Sequence, residues 1–354
     1  MGAGLTRGHA ASQQRGPHPL PVFLGLAMAV TGGDPQRMAR VLCGVRTYQE
    51  HRTARPALKG RLVVQAGSAR LLAMADEGRP VILVPSLING PEVLDLAEDV
   101  SLVRHLASAG FAPHLVVWGR PDPSERAMDV ATLVEQRLLP LLAALDRPAP
   151  LVGYCLGGTI ALAAAALRPP PAVALIATPW RFAGYPDDRR AALAALWESI
   201  RPGAEASGLV PVELLQPGFW ELDPLRSVEK FERFGAMDPA SRDARHYVLV
   251  EDWVNSGPPI GMAAARDLFE RFYRDDEPGR GQWRVGGVLV DPAALPCPLL
   301  NLVSTRDRLV PVEAAPDAGE RVEVAAGHVG MMVGSKARAL LHAPLAAWLA
   351  ARAP

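Results

Sequence analysis

The tightest constraint in this chain is a short run, Gly153-Tyr-Cys-Leu-Gly-Gly158, set between two contrasting apolar segments. Before it, Pro150-Leu-Val-Gly153 reads as a strand buried on both faces. After it, Thr159 to Leu167 is an Ala-rich helix. A reversal from strand to helix in so few residues leaves no room for side chains beside its tip. Glycines two before and two after a central residue therefore mark a nucleophile elbow. Cys155 occupies the tip. The N-terminus of the following helix favours a thiolate there, and the Leu156 backbone N–H is placed as one donor of an oxyanion hole. A second donor is expected from the loop after Pro80-Val-Ile-Leu-Val-Pro85, near Leu87.

Strands alternate with helices around this elbow. Strand-like pieces run from Arg61 to Met74, and buried strands are expected at Pro80 to Pro85, His114 to Trp118, Pro150 to Gly153 and Val173 to Ala177. Helices are expected from Asp34 to about Tyr48, from Ser101 to Ala109 and from Val130 to Leu145. The alternation lapses between about Trp180 and Val290, a stretch that holds Trp180, Trp197, Trp220, Trp253 and Trp283. It resumes with Leu299 to Val303, Val322 to Ala325 and a closing helix from Ala337 to Ala350. Alternation of this kind gives a parallel sheet flanked by helices. With the elbow, the fold class expected is α/β, an α/β-hydrolase fold: a mostly parallel, doubly wound sheet with a mainly helical cap insertion. The core spans 61–179 and 291–354, the cap 180–290, and 1–60 is an N-terminal helical, partly disordered segment whose first dozen residues lack order. Leu20 to Val30 reads as an apolar helix ended by Thr31-Gly32-Gly33. Its alternative is a secretion signal, with Arg7 and Arg15 before it and Ala27-Met28-Ala29 within it. No apolar run reaches the ~18–20 residues of a transmembrane helix.

On this fold the partners of an elbow nucleophile follow it in the order acid, then base. Asp307 comes directly after the strand ending at Val303, and His328, in Ala326-Gly-His-Val-Gly330, directly after the next. Both fall at carboxyl ends of parallel strands, where sites form in open α/β sheets. His328 would take the Cys155 proton while Asp307 fixes its tautomer. The bland alternatives are a satisfied buried histidine and a turn cap. Order, spacing and strand context together favour the triad. His105 and His114 lie ahead of the nucleophile, and His246 sits in the cap, where it could touch substrate.

The charge balance, 37 basic against 37 acidic side chains, leaves no electrostatic footprint for nucleic acid. Cys43, Cys155 and Cys297 are too few and too far apart for a disulfide framework or a metal knuckle, which points to a reducing, cytoplasmic setting. Cys43 and Cys297 read as small buried hydrophobes. No metal or cofactor motif is present, and Gly286-Gly287 lacks the context of a phosphate loop.

A cysteine at the elbow shifts the chemistry. A thiolate attacking a thioester exchanges one thioester for another, and the acyl-enzyme stays activated towards an alcohol, which leans towards acyl transfer from coenzyme A thioesters. Further segments sharpen this: Pro85-Ser-Leu-Ile-Asn89, Leu94-Asp-Leu96, Ser101-Leu-Val103, Trp118-Gly119, the Gly-Tyr-Cys-Leu-Gly-Gly-Thr159 box, Thr178-Pro179, Glu251-Asp-Trp253, Phe272-Tyr273, Val290-Asp291, Cys297-Pro298 and Gly327-His-Val-Gly330. In this order, from about Pro80 onward, they resemble the polyhydroxyalkanoate synthases, especially the short class that works with a second subunit. The resemblance maps the family's cysteine, aspartate and histidine onto Cys155, Asp307 and His328. It implies transfer of 3-hydroxyacyl groups from a CoA thioester, as substrate and not cofactor, to a hydroxyl acceptor or growing polyester. It also brings forward Asn89 and Trp253 as substrate-contacting residues. As partners it implies a second copy of the chain or a second synthase subunit, and the surface of a polyester granule.

The chain departs from the family pattern at Val117, where the family carries Asp, at Arg308, where it carries His, and at Gly90-Pro91-Glu92, where an aromatic is missing. These departures keep a second reading in view, a Cys-His-Asp hydrolase acting as thioesterase or as hydroxyalkanoate esterase or depolymerase. A third, a noncatalytic granule-associated platform, is opposed by the intact triad.

Overall fold

The computed structural model describes residues 15–352, so the expected disorder of the first dozen residues, with Arg7, lies outside the described residues. Eight strands form one sheet: β1 Arg61–Ala66, β2 Ala69–Ala73, β3 Arg79–Val84, β4 Phe111–Val117, β5 Leu151–Tyr154, β6 Val173–Ile176, β7 Leu299–Ser304 and β8 Glu320–Val324. They lie in the order β1-β2-β4-β3-β5-β6-β7-β8. β2 is antiparallel to both neighbours, and every pair from β4 to β8 is parallel. The mostly parallel sheet read from the sequence is the one found. β5, β6 and β7 are buried along their whole length, which is why they read as largely apolar runs; the polar Asn301 inside β7 donates its amide to the Pro316 carbonyl at 2.8 Å. Strand order reverses between β3 and β5, and the crevice beyond their carboxyl ends is where an open α/β sheet places its ligand site.

The helices α1 Leu20–Thr31 and α2 Pro35–Glu50 precede the sheet, and α3 Leu102–Ser108, α4 over 130–143 and α5 Leu156–Leu167 connect its strands. The insertion carries α6 Asp187–Ser207, α7 Val212–Trp220, α8 Pro224–Phe234, α9 Arg242–Val254 and α10 over 262–274, and α11 over 338–350 closes the chain. Three of these, α4, α10 and α11, widen into π turns, and in α4 and α11 a proline is the reason. In α4 the Leu139 N–H reaches back to the Val134 carbonyl, just before Pro140. In α11 the Ala343 N–H reaches the Arg338 carbonyl, just before Pro344. A proline inside a helix lacks its donor and crowds the carbonyl four residues back, and the wider turn relieves both faults.

Some boundaries differ from those read in the sequence. β4 begins at Phe111, not His114, because Pro113 still offers its carbonyl to the Met74 N–H at 2.9 Å. The elbow helix begins at Leu156, not Thr159, because Gly157 and Gly158 are helical. Gly286 and Gly287 have φ of 55° and 76°, as a tight hairpin between Arg284–Val285 and Val288–Leu289 requires.

The two N-terminal helices pack on the insertion. Phe23 and Ala27 of α1 and Val41, Val45 and Tyr48 of α2 form a second core with Trp220, Phe231, Phe234 and Val248. α1 ends at Gly32, in the left-handed region at φ 61°, as its glycines led us to expect. Asp252 locks this arrangement. Its side chain is 3 % exposed and pairs with Arg15 at 2.8 Å and Arg55 at 3.1 Å. It also accepts the Tyr48 hydroxyl at 2.9 Å. Among the described residues no helix is long and apolar enough to cross a membrane.

Removing one member of a buried charged cluster leaves the others unpaired, which costs about 3–5 kcal/mol. Asp252→Ala is therefore expected to lower stability by about 3 kcal/mol, read as a fall in the urea midpoint. Asp252→Asn, which keeps an acceptor for Tyr48, should lose less.

Candidate active site

Cys155 stands between β5 and α5 with φ 54° and ψ −131°, a conformation that costs a non-glycine residue about 1–3 kcal/mol. Close packing around it holds this strain. A Cβ on Gly153 would lie 2.3 Å from the Gly158 Cα, and one on Gly157 would lie 2.1 Å from the Val84 carbonyl oxygen. One on Gly158 would strike the Thr178 hydroxyl at 1.9 Å. The glycines thus let α5 close onto the end of β3 and onto the loop after β6. Thr159 ties the same seam by donating its hydroxyl to the Pro179 carbonyl at 2.6 Å. As the first residue of α5, Leu156 has no intrahelical acceptor for its N–H.

Asp307 and His328 meet beside this tip, on the loops after β7 and β8. The His328 Nδ1 and Asp307 Oδ2 are 2.6 Å apart. The other carboxylate oxygen accepts the Leu309 and Val310 N–H groups at 2.7 and 2.9 Å, which fixes the carboxylate's orientation. Tyr154, the residue before the nucleophile, packs against the imidazole with ring centroids 5.1 Å apart and donates its hydroxyl to the His328 carbonyl at 3.3 Å. Burial opposes the imidazolium. The Asp307 carboxylate and the neighbouring Cys155 outweigh it, and His328 is pushed up to about 10. An imidazole so placed is a strong proton acceptor for a thiol in contact with it.

A cavity of 370 Å³ opens over these groups, lined by Cys155, Leu156, Asp307, His328, Asn89 and Trp253 among others. Leu87 belongs to the hydrophobic core, and Ser86 and Ile88 on either side of it line the cavity. The Ile88 N–H is taken by the Ser86 hydroxyl at 3.2 Å. The Ser86 and Leu87 N–H groups have no acceptor among the described residues. Trp118 braces this loop by donating its indole N–H to the Pro85 carbonyl at 3.0 Å.

Asn89 and Trp253 line the cavity, but their side-chain N–H donors are already committed. The Asn89 side-chain amide donates to the Val254 and Ser256 carbonyls at 3.1 Å each. In return Trp253 donates its indole N–H to the Gly90 carbonyl at 2.8 Å. The two residues expected to contact substrate thus clasp the loop after β3 to the end of α9. Sequence spacing gave no sign of this, since the partners stand more than 160 positions apart. Of the five tryptophans of the insertion, only Trp253 lines the cavity, and Trp180, Trp197, Trp220 and Trp283 are buried packing residues. His246 does not reach the cavity. Arg308 extends from the residue after Asp307 to Asp223, which caps α8, at 2.6 Å. The core and the insertion are therefore joined at the cavity mouth. Among the described residues no cluster of three or more His, Cys, Asp or Glu could hold a metal ion.

No family model matches the chain. It is 28 % identical over 296 residues to the poly(3-hydroxyalkanoate) polymerase subunit PhaC of Haloferax mediterranei, covering 77 % of this chain and 59 % of the relative. The subunit of the same name from Allochromatium vinosum is 27 % identical over 291 residues, covering 76 % of this chain and 80 % of the relative. The resemblance read from the motifs is thus met by curated proteins of that name, although the chain spans only about three fifths of the haloarchaeal relative. Among solved structures, a thermophilic esterase from Thermogutta terrifontis superposes with a TM-score of 0.53 at 19 % identity, over 82 % of this chain and 99 % of that one. The fold is that of an α/β-hydrolase.

Two outcomes are expected from this geometry. His328→Gln should slow iodoacetamide alkylation of Cys155 at pH 7 at least tenfold, because the thiol loses its proton acceptor; labelling at the wild-type rate would break the link between the two groups. Asn89→Ala should lower turnover at least tenfold while leaving the circular dichroism spectrum intact. It frees the loop that flanks the nucleophile and leaves two carbonyls without their donor.

Proposed function

We propose that the protein is an acyltransferase of the polyhydroxyalkanoate-synthase kind, which takes a 3-hydroxyacyl group from a CoA thioester onto Cys155 and passes it to a hydroxyl acceptor or a growing polyester. The observation that carries this reading is a cysteine, not a serine, at the strained tip beside the buried Asp307–His328 pair. The similarity to the PhaC subunits supports it independently.

In this reading Cys155 Sγ gives its proton to His328 Nε2 and attacks the thioester carbonyl. Negative charge forms on the carbonyl oxygen, where the Leu156 N–H and an N–H of the Ser86–Leu87 stretch can receive it. The carbon–sulfur bond to CoA then breaks, and the CoA sulfur leaves with the proton from His328. An acyl thioester on Cys155 replaces the one on CoA, so little free energy is lost. In the second half the acceptor hydroxyl gives its proton to His328 and attacks the acyl carbonyl. An ester forms, and Cys155 Sγ regains the proton. Asp307 holds the imidazole in one orientation throughout. The insertion covering the cavity favours the alcohol over water as acceptor.

Incubation with 3-hydroxybutyryl- and 3-hydroxyoctanoyl-CoA tests the proposal. Release of CoA together with insoluble polymer is the expected result. CoA with free hydroxy acid would move the protein to the hydrolase reading, and no release from either thioester would sink acyl transfer altogether. Cys155→Ala should abolish release, and His328→Gln should lower it by about 10²–10⁴-fold.

A further inference from the structure

We infer that a second cavity, beside the one over Cys155, seats the aliphatic tail of the acyl group, and that the group handled is of medium length, about eight to ten carbons. This inference rests on the acyl-enzyme reading above and adds the substrate class to it. The second cavity measures 190 Å³ and lies among α6, α7 and α10. It shares Ile88, Phe219, Leu222, Tyr273 and Leu309 with the 370 Å³ cavity over Cys155. The two chambers therefore adjoin along a common apolar wall, the route assigned to a chain leaving Cys155. Tyr273 belongs to that wall and stays a neutral phenol, since burial pushes its ionisation up and the nearby Cys155 and Asp307 push it further in the same direction.

Away from the shared wall the chamber is lined by Leu193, Leu196 and Phe269. This part is held in place. The Phe269 ring stacks on Trp197 with centroids 5.0 Å apart and planes 7° apart, and the Trp197 indole donates to Glu270 at 2.8 Å. Arg189 and Glu221 are the charged residues around the chamber. The Arg189 guanidinium is already bound to the carbonyls of Glu221 and Leu222. The remaining surface offers a ligand little except contact with apolar carbon.

Size sets the length of the occupant. An apolar cavity of about 150 Å³ holds benzene, a body of six carbons. A volume of 190 Å³ therefore takes a tail of about six carbons or slightly more, while the carbonyl end and the first carbons stay over Cys155. A four-carbon acyl group would leave the chamber empty. Each methylene buried there should favour the longer group by about fourfold.

The test uses p-nitrophenyl esters of four, eight and ten carbons. Their acyl transfer to Cys155 releases p-nitrophenolate and needs no CoA. The rate constant for acylation is expected to be at least tenfold higher for the octanoate than for the butyrate. Leu193→Trp, which fills the chamber, should reduce that ratio at least tenfold. Leu196→Ala, which enlarges it, should raise the rate for the decanoate relative to the octanoate. Circular dichroism is the check that each variant is folded. A wild-type protein that prefers the butyrate overturns the inference. So does an unchanged chain-length profile in both folded variants, or no p-nitrophenolate from any ester. An octanoate preference in a protein that ignores CoA thioesters would sink the synthase reading and leave the chamber assignment standing.

Discussion

The close approach of α5 to the ends of β3 and β6 is the constraint on which the rest depends. Without side chains at Gly153, Gly157 and Gly158, the helix reaches within van der Waals contact of Val84 and Thr178, and Cys155 is forced to positive φ at its tip. Any Cβ at these positions would push α5 away and relax the turn. The strain of about 1–3 kcal/mol is thus supported by packing on every side. Its product is a sulfur displayed at the strand ends, beside the loops that bring Asp307 and His328 together.

A second level of organisation governs what can reach that sulfur. The insertion is not simply laid over the sheet. Asn89 and Trp253 exchange hydrogen bonds across the boundary, and Arg308 reaches over to Asp223. One residue before Trp253, Asp252 gathers Arg15, Arg55 and Tyr48 from the N-terminal region. Neighbouring positions of α9 therefore tie the insertion in opposite directions, to the loop flanking the nucleophile and to α1–α2. Arg308 has its own place in this scheme, as a link between the core and the insertion.

Much of the sheet was legible because buried parallel strands carry their signal in single short segments. Val173 to Ile176 and Leu299 to Ser304 are apolar at almost every position, and no partner is needed to recognise them. Where the reading slipped, a residue with two meanings was responsible. Pro113, just before the strand expected from His114, lies inside it and costs the ladder only the donor it lacks. Gly157 and Gly158 looked like loop, yet they are helical glycines whose missing side chains permit contact. Of the insertion's five tryptophans, four are packing residues and Trp253 lines the cavity, a division that their positions in the chain do not show.

By itself the sequence determined the strand–turn–helix elbow, the order in which Cys155, Asp307 and His328 follow one another, and the alternation that sets all three at the carboxyl ends of the strands. These depend on local spacing and on the polarity of short segments, both written along the chain. Tertiary structure alone decided what Asn89 and Trp253 do, which tryptophan meets the cavity, and that a second apolar chamber opens beside the first. Each of these is set by which distant surfaces come within hydrogen-bonding or packing range, and no local pattern encodes a contact between residues 89 and 256.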